Sequence, residues 1–336
     1  MSLHILQSYS TDPYYNLALE DLILRDELIQ NDILILYKND PCLVLGNFQC
    51  LWKEAPSEAI KKYHLKIVRR QSGGGTVYHD HGNLNFSFIF QKEKYAKNGL
   101  SYLLKDYFGS LGLQVESSGR DDFGVLDRES KTFYKFSGQA FKQTRNKVLH
   151  HGTLLFDSDL NILNEICMPN TKVKSKSVDS VVSKVTNLKS LSEISSKVDN
   201  IQVFQDHLVE YLMAEKQSVH FKDLDFDREI LERKASELAQ WETVFGKTPK
   251  FEFPFSYDQQ TDTEPIIFHV HHAKIVEVQV ADNEPYKKFL EQMVGLSLRL
   301  NDFERYLEQF LKTFSSSEDG NFVKLKTALI HQLFIA

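Results

Sequence analysis

"RRQSGGGTVYHDHGNLNFSF" (residues 69–88) sets three consecutive glycines between a basic pair and a polar segment with two histidines. Arg69 and Arg70 close the β-rich run "LKIVRR", and Tyr78, His79 and Asp80 open the segment beyond the glycines. Glycine accepts positive φ at no steric cost, so the run satisfies a plain turn between strands. It equally lets a ligand approach backbone N–H groups while an adjacent arginine supplies charge to an anion. It is not a Walker loop, because no Gly-Lys-Ser/Thr is present, nor a GxGxxG fingerprint. Downstream, Leu84, Phe86, Phe88 and Phe90 alternate with Asn85, Ser87 and Ile89, which predicts a half-buried strand.

Working towards the N-terminus, "APSEAIKKY" reads as a short helix. "ILILY" (33–37) and "CLVLG" (42–46) read as buried strands joined by a "KNDP" turn. "TDPYYNLALEDLILRD" opens a helix that Asp12 can cap, with Pro13 at its first position. Tyr15, Ala18, Leu19, Leu22 and Ile23 form its apolar stripe. Towards the C-terminus, "LSYLLKDYFGSLGL" (100–113) is helical, and 132–143 with 148–157 reads as an antiparallel hairpin. "DLNILNEICMP" is a short helix, and the Lys/Ser/Val-rich stretch after it is a long loop. Helices are expected near 201–214 and 227–245, then a linker over 246–265. Strands in "IIFHVHHAKIVEVQV" and helices near 285–295, 302–314 and 322–333 complete a second domain. The expectation is α+β with two domains, 1–246 and 250–336.

Bulk properties narrow the function. At 336 residues, 42% hydrophobic and 12% aromatic, the chain has ample core, and its net charge of −6 argues against a general nucleic-acid binder. No apolar run approaches the ~20 residues that span a bilayer, and the first thirty residues resemble no targeting signal. Cys42, Cys50 and Cys167 form no CxxC pair, which favours a reducing, cytoplasmic setting.

Four further patterns bear on chemistry. In "KFSGQAF", Lys135 stands two residues before Ser137 and Gly138, where small residues open space for a point charge aimed at a carboxylate or phosphate; a strand lysine also commonly faces water. In "HHG", His150 and His151 fall on opposite faces of a strand and cannot share one metal. His269 and His271 share a face, but spacing suggests no third ligand for zinc. Cys50 follows a buried strand and reads as a small apolar residue.

Taken in order, these segments resemble the lipoate–protein ligase family, related in fold to biotin protein ligases. "DPYYNLALED" resembles its first helix, "VLGNFQCLWKE" its G-R-x-Q-N-x-W-x-E segment, and residues 69–83 its R-R-x-S-G-G-G-x-V-x-H-D-x-G-N lipoate-binding loop. "GRDDF" is similar to G-R-N-D, "KFSGQAF" to K-x-S-G-x-A, "HHGTLLFD" to H-H-G-T-L-L, and "VDSVVSKVTNL" to the adenylate-binding loop. From "QWETVFGKTPKF" onward the chain is similar to the small α+β accessory domain of two-domain bacterial ligases.

The resemblance implies a biotin/lipoate-ligase-like catalytic domain of mixed sheets with flanking helices. It implies that lipoate and MgATP give lipoyl-AMP, and that a lysine of an apo lipoyl domain then attacks the anhydride. Acceptors would be lipoyl domains of 2-oxoacid dehydrogenase E2 subunits and the glycine cleavage H protein, with no nucleic acid or membrane involved. Lys135 would bridge the lipoyl carboxylate and the α-phosphate, and Arg70 would face the nucleotide. Gly75, Thr76, Val77 and Tyr78 would line the pocket. Ser72, Gly73, Gly74, His79, Ser137, Gly138, His151, Gly152, Thr153, Val181 and Ser183 would complete the ATP and lipoyl-AMP contacts. Departures are Asn47 for arginine, Cys50 and Asp121 for asparagine, Val182 for arginine, and the milder Lys184 for a second arginine. Asp121 suits Mg²⁺. Val182 removes a phosphate contact, which keeps open a lipoyltransferase using ready-made lipoyl-AMP. A cysteine-dependent octanoyltransferase is the more distant alternative.

Overall fold

The computed structural model describes residues 3–94, 97–118, 122–216, 219–221, 227–257, 265–313 and 320–335. The chain divides into two compact units. The first comprises residues 1–47, 66–163 and 181–240, and the second comprises 48–65, 164–180 and 241–336. The second unit therefore draws two stretches, 48–65 and 164–180, from ahead of residue 241, a division that differs from a single cut near residue 250. The architecture is α+β, and no helix among the described residues is long and apolar enough to cross a membrane.

In the first unit the strands are β1 (Leu3–Gln7), β2 (Asp32–Tyr37), β3 (Cys42–Leu45), β4 (Lys66–Arg69), β5 (Val77–His79) and β6 (Asn83–Gln91). They continue with β7 (Glu116–Ser117), β8 (Phe123–Leu126), β9 (Phe133–Ser137), β10 (Gln139–Gln143) and β11 (Lys147–Leu155). A six-stranded sheet runs β10-β11-β6-β2-β1 and ends on Val219–Phe221; β4-β3-β5 and β7-β8-β9 are three-stranded sheets. β6 lies at the centre of the large sheet, antiparallel to β2 (Ile33↔Ile89) and to β11 (His151↔Ser87).

The alternation in β6 is real, yet both faces are buried, so the half-buried expectation is corrected. Leu84, Phe86 and Phe88 enter a core with the helices Lys97–Ser110 and Ile201–Lys216. Asn85 and Ser87 are equally buried on the other face, where helix α1 (Pro13–Arg25) and the helix Arg228–Ala239 help build the second core. α1 begins as expected. Asp12 accepts hydrogen bonds from Tyr14 N and Tyr15 N, and Pro13 stands where a missing N–H costs nothing. Its buried face also includes Asn16, Glu20 and Asp21, so its apolar stripe underestimates what it covers.

Two strand pairings differ from expectation. β2 and β3 follow one another but enter different sheets. The segment 132–143 is not one strand. It breaks at Gly138, so β9 pairs with β8 while β10 forms the hairpin with β11 (Ala140↔His151).

The second unit carries a sheet of Lys174–Ser175, Phe251–Phe255, Ile266–His271 and Lys274–Gln279. Phe251–Phe255 is thus a strand inside the expected linker, with phenylalanines inward on a period of two. Trp52 anchors this unit. It is buried, stacks on Phe251 at 5.1 Å between centroids, and donates from Nε1 to Leu333 O at 2.7 Å. No group of three or more metal-ligating side chains occurs among the described residues, and His269 instead lies 4.0 Å from Glu252.

Candidate active site

A cleft opens in the first unit where α1, β2, β3, β5, β6, β10 and β11 converge. Leu17, Tyr37, Val44, Val77 and Ala140 give it apolar walls, and Arg70, His79, Asn85, His151 and Thr153 bring polar groups to it. Gly138 and Gly152 face each other across the β10–β11 hairpin, where a Cβ on Gly152 would stand 2.6 Å from Gly138 O. Only a bare backbone fits there. Gly138 N donates to Thr153 Oγ1 at 3.1 Å, and Thr153 N donates to Gly138 O at 3.0 Å.

The glycine loop wraps its own arginine. Arg70 donates from Nη2 to Gly73 O (2.7 Å) and Gly75 O (2.6 Å), from Nη1 to Val44 O (3.0 Å), and from Nε to Ser72 Oγ (3.0 Å). Burial lowers its pKa to about 10, so it stays cationic at neutral pH. Arg70 therefore braces the loop as well as charging the cleft. Gly74 adopts φ +86°, and a Cβ there would meet Arg70 Nη2 at 3.0 Å. Val77 and His79 line the cleft, whereas Tyr78, between them on β5, belongs to the strand's other face. Thr76 is half-buried at the end of the loop.

Behind the loop runs a buried polar chain. His151 Nε2 lies 2.7 Å from Ser72 Oγ, and its Nδ1 lies 3.1 Å from Glu20 Oε2. Glu20 also accepts hydrogen bonds from Tyr37 Oη (2.8 Å) and from Ser87 Oγ. Burial alone would raise the Glu20 pKa, but His151, Ser87 and Tyr37 together hold it below the ordinary carboxylate range. The helical stripe of α1 concealed Glu20. The signal that could have found it is an acid one turn from Asn16 on an otherwise apolar face.

Lys135 lies on β9, its ammonium 2.9 Å from Asp122 Oδ1. A Cβ on Gly138 would sit 2.9 Å from Lys135 Nζ, so the glycine makes room for the ammonium beside the cleft. The segment after residue 180 runs along the same strand: Lys135 N donates to Lys184 O and Thr186 N to Lys135 O, both at 2.9 Å. Val181 and Val182 project outward, and Ser183 Oγ donates to Val181 O at 3.3 Å. The expected metal ligand Asp121 lies outside the described residues. Its neighbour Asp122, which sequence reasoning passed over, is the acid on Lys135. Ser137 Oγ is buried without a hydrogen-bond partner among the described residues.

The model for the lipoyl protein ligase A/B catalytic domain matches residues 12–213. The chain is 28% identical over 330 residues to lipoate-protein ligase A of Blochmanniella floridana, covering 94% of this chain and 95% of that one. Its fold is similar to that of P. falciparum LipL1 in complex with lipoate, with TM-score 0.60 and 21% identity over 98% of this chain and 100% of that one. It is also similar to lipoate-protein ligase A bound with ATP, with TM-score 0.53 and 21% identity over 71% and 93% of the two chains. The family match spans more than half of the sequence and every strand of the cleft, and the chain belongs to the lipoyl protein ligase A/B catalytic domain family.

Proposed function

We propose that this protein is an ATP-dependent lipoate–protein ligase. It joins lipoate to MgATP, releasing pyrophosphate and forming lipoyl-AMP, then transfers the lipoyl group to a lysine amine of an apo lipoyl domain, releasing AMP. The carrying observation is Lys135, whose ammonium reaches the space left by Gly138 at the cleft. Lipoate and the α-phosphate are both anionic and repel each other. A compact cation fixed between them offsets that repulsion and stabilises charge as the phosphorus–oxygen bond forms. Asp122, 2.9 Å away, holds the ammonium in place. The apolar walls suit an aliphatic chain.

The acceptors are lipoyl domains, and we assign them to E2 subunits of 2-oxoacid dehydrogenases and to the glycine cleavage H protein. The buried Cys42 thiol and the need for ATP suit the cytoplasm. Lipoate-dependent exchange of pyrophosphate into ATP tests the reading: wild type exchanges and Lys135→Ala does not. A transferase using preformed lipoyl-AMP is the second reading, favoured by Val182, which is 74% exposed and whose side chain offers a phosphate no hydrogen bond. Transfer from lipoyl-AMP without exchange would select it.

A further inference from the structure

Two side-chain amides and a histidine form a chain of fixed polarity in the first unit. Asn16 Nδ2 donates to Ser10 O at 2.9 Å, and Asn16 Oδ1 accepts from Ser8 Oγ at 2.6 Å. A backbone carbonyl can only accept, so these contacts fix which end of the Asn16 amide is nitrogen. The same Nδ2 lies 2.8 Å from Asn39 Oδ1, which commits the oxygen of Asn39 to Asn16. Asn39 therefore turns its NH₂ towards His79 Nδ1, 3.0 Å away. An amide NH₂ has no lone pair to offer, so His79 Nδ1 must be the acceptor and carries no proton. In a neutral ring the proton then resides on Nε2.

His79 Nε2 is buried and has no acceptor among the described residues, while the ring lines the cleft together with Arg70, Gly138 and Thr153. Burial, with Arg70 and His151 adding repulsion, lowers its pKa to about 3, so the ring is neutral in working conditions. A buried N–H is seldom left unmatched.

We propose that Asn39, held by Asn16, is a positioning residue that fixes His79 as the Nε2–H tautomer, and that this N–H donates to a carboxyl oxygen of the acyl group bound in the cleft. The tautomer stands on the protein alone; the identity of the acceptor rests on the ligase reading. A neutral donor suits an oxygen that is a carboxylate before activation and an anhydride carbonyl afterwards, because it serves both without gaining or losing a proton.

The test begins with ¹⁵N NMR of the full chain, with His79 assigned by difference from His79→Gln. The expected pattern is unprotonated Nδ1 and protonated Nε2 at both pH 7.5 and pH 5. A proton on Nδ1, or a doubly protonated ring at pH 5, would overturn the tautomer. Asn39→Asp replaces the donor by an acceptor and should place a proton on Nδ1; an unchanged pattern would remove Asn39 from the role. Calorimetry then measures lipoate and octanoate, which share the carboxyl group and differ in the dithiolane. His79→Phe should weaken both by roughly ten- to a hundredfold, while His79→Gln, whose amide nitrogen can occupy the Nε2 position, retains most affinity. Equal affinity in wild type and His79→Phe would sink the donor role. Loss confined to lipoate would assign the N–H to a sulfur instead and overturn the oxygen. Failure of the wild type to bind either acid would overturn the ligase reading and the acceptor with it, while the NMR result decides the tautomer independently.

Discussion

Lys135 and Asp122 illustrate how one atom's surroundings decide a role. The Lys135 side chain is 22% exposed, paired with a carboxylate, and its ammonium lies 2.9 Å from where a Cβ on Gly138 would stand. Lys135→Ala should abolish pyrophosphate exchange while costing about 1–2 kcal/mol of stability, because it strands a largely buried acid. Near-normal exchange would remove the assignment. Lys135→Arg should restore little, since a planar fork cannot occupy the place of a compact ammonium. At the loop, Gly74→Val combines φ +86° with a Cβ 3.0 Å from Arg70 Nη2. Lipoate affinity should fall sharply in a folded protein, and unchanged calorimetry would reduce the loop to a turn. His79 adds a pH dependence. Its folded pKa of about 3 is below the ordinary 6.5, so the unfolded chain takes up the proton first as pH falls. Stability should therefore decline below about pH 6.5, by roughly 1.4 kcal/mol per unit for this group. Urea titrations of wild type and His79→Gln between pH 7.5 and 4 should differ by that slope.

Individual elements were largely legible because β-rich runs and capped helices announce themselves locally. α1 shows its cap and its proline in the sequence, and β6 shows its period of two. What sequence could not assign was partnership. β2 and β3 are adjacent in the chain yet join different sheets, and the run through Lys135 looks like one strand although Gly138 redirects it between two. Period alone also marks Asn85 and Ser87 as outward, when the face they occupy is covered by α1 and becomes part of the site. Glu20 and Asp122 escaped notice because acids ordinarily read as solvated. The two hairpin glycines give an element-scale test. Gly152→Ala pushes a Cβ to 2.6 Å from backbone Gly138 O and from Phe86 Cζ, atoms that cannot yield, and should cost about 1–3 kcal/mol in thermal unfolding. In Gly138→Ala the crowded atom is the mobile end of Lys135. Its melting temperature should hold while kcat falls more than KM.

On the scale of the whole molecule, a cut at Gly246 is a poor probe of whether the C-terminal part modulates the reaction. Such a cut would strip Phe251 and Leu333 from Trp52, which belongs to the same compact unit. A substitution in the intact chain is the cleaner probe. Trp52→Ala should cost about 3–5 kcal/mol and lower the melting temperature. Lipoate affinity at 25 °C should hold, because the cleft is lined entirely by the first unit. A folded Trp52→Ala protein with weakened lipoate binding would show that the two units share the site. The bond from Trp52 to Leu333 also has a consequence in biosynthesis. The two residues are 281 apart in sequence. At ribosomal speeds of about 5–20 residues per second, the indole is made roughly 14–56 s before its acceptor. Throughout that interval the nascent chain carries Trp52 without the Leu333 carbonyl that its indole will bond, so this contact can close only after nearly the whole chain has been made.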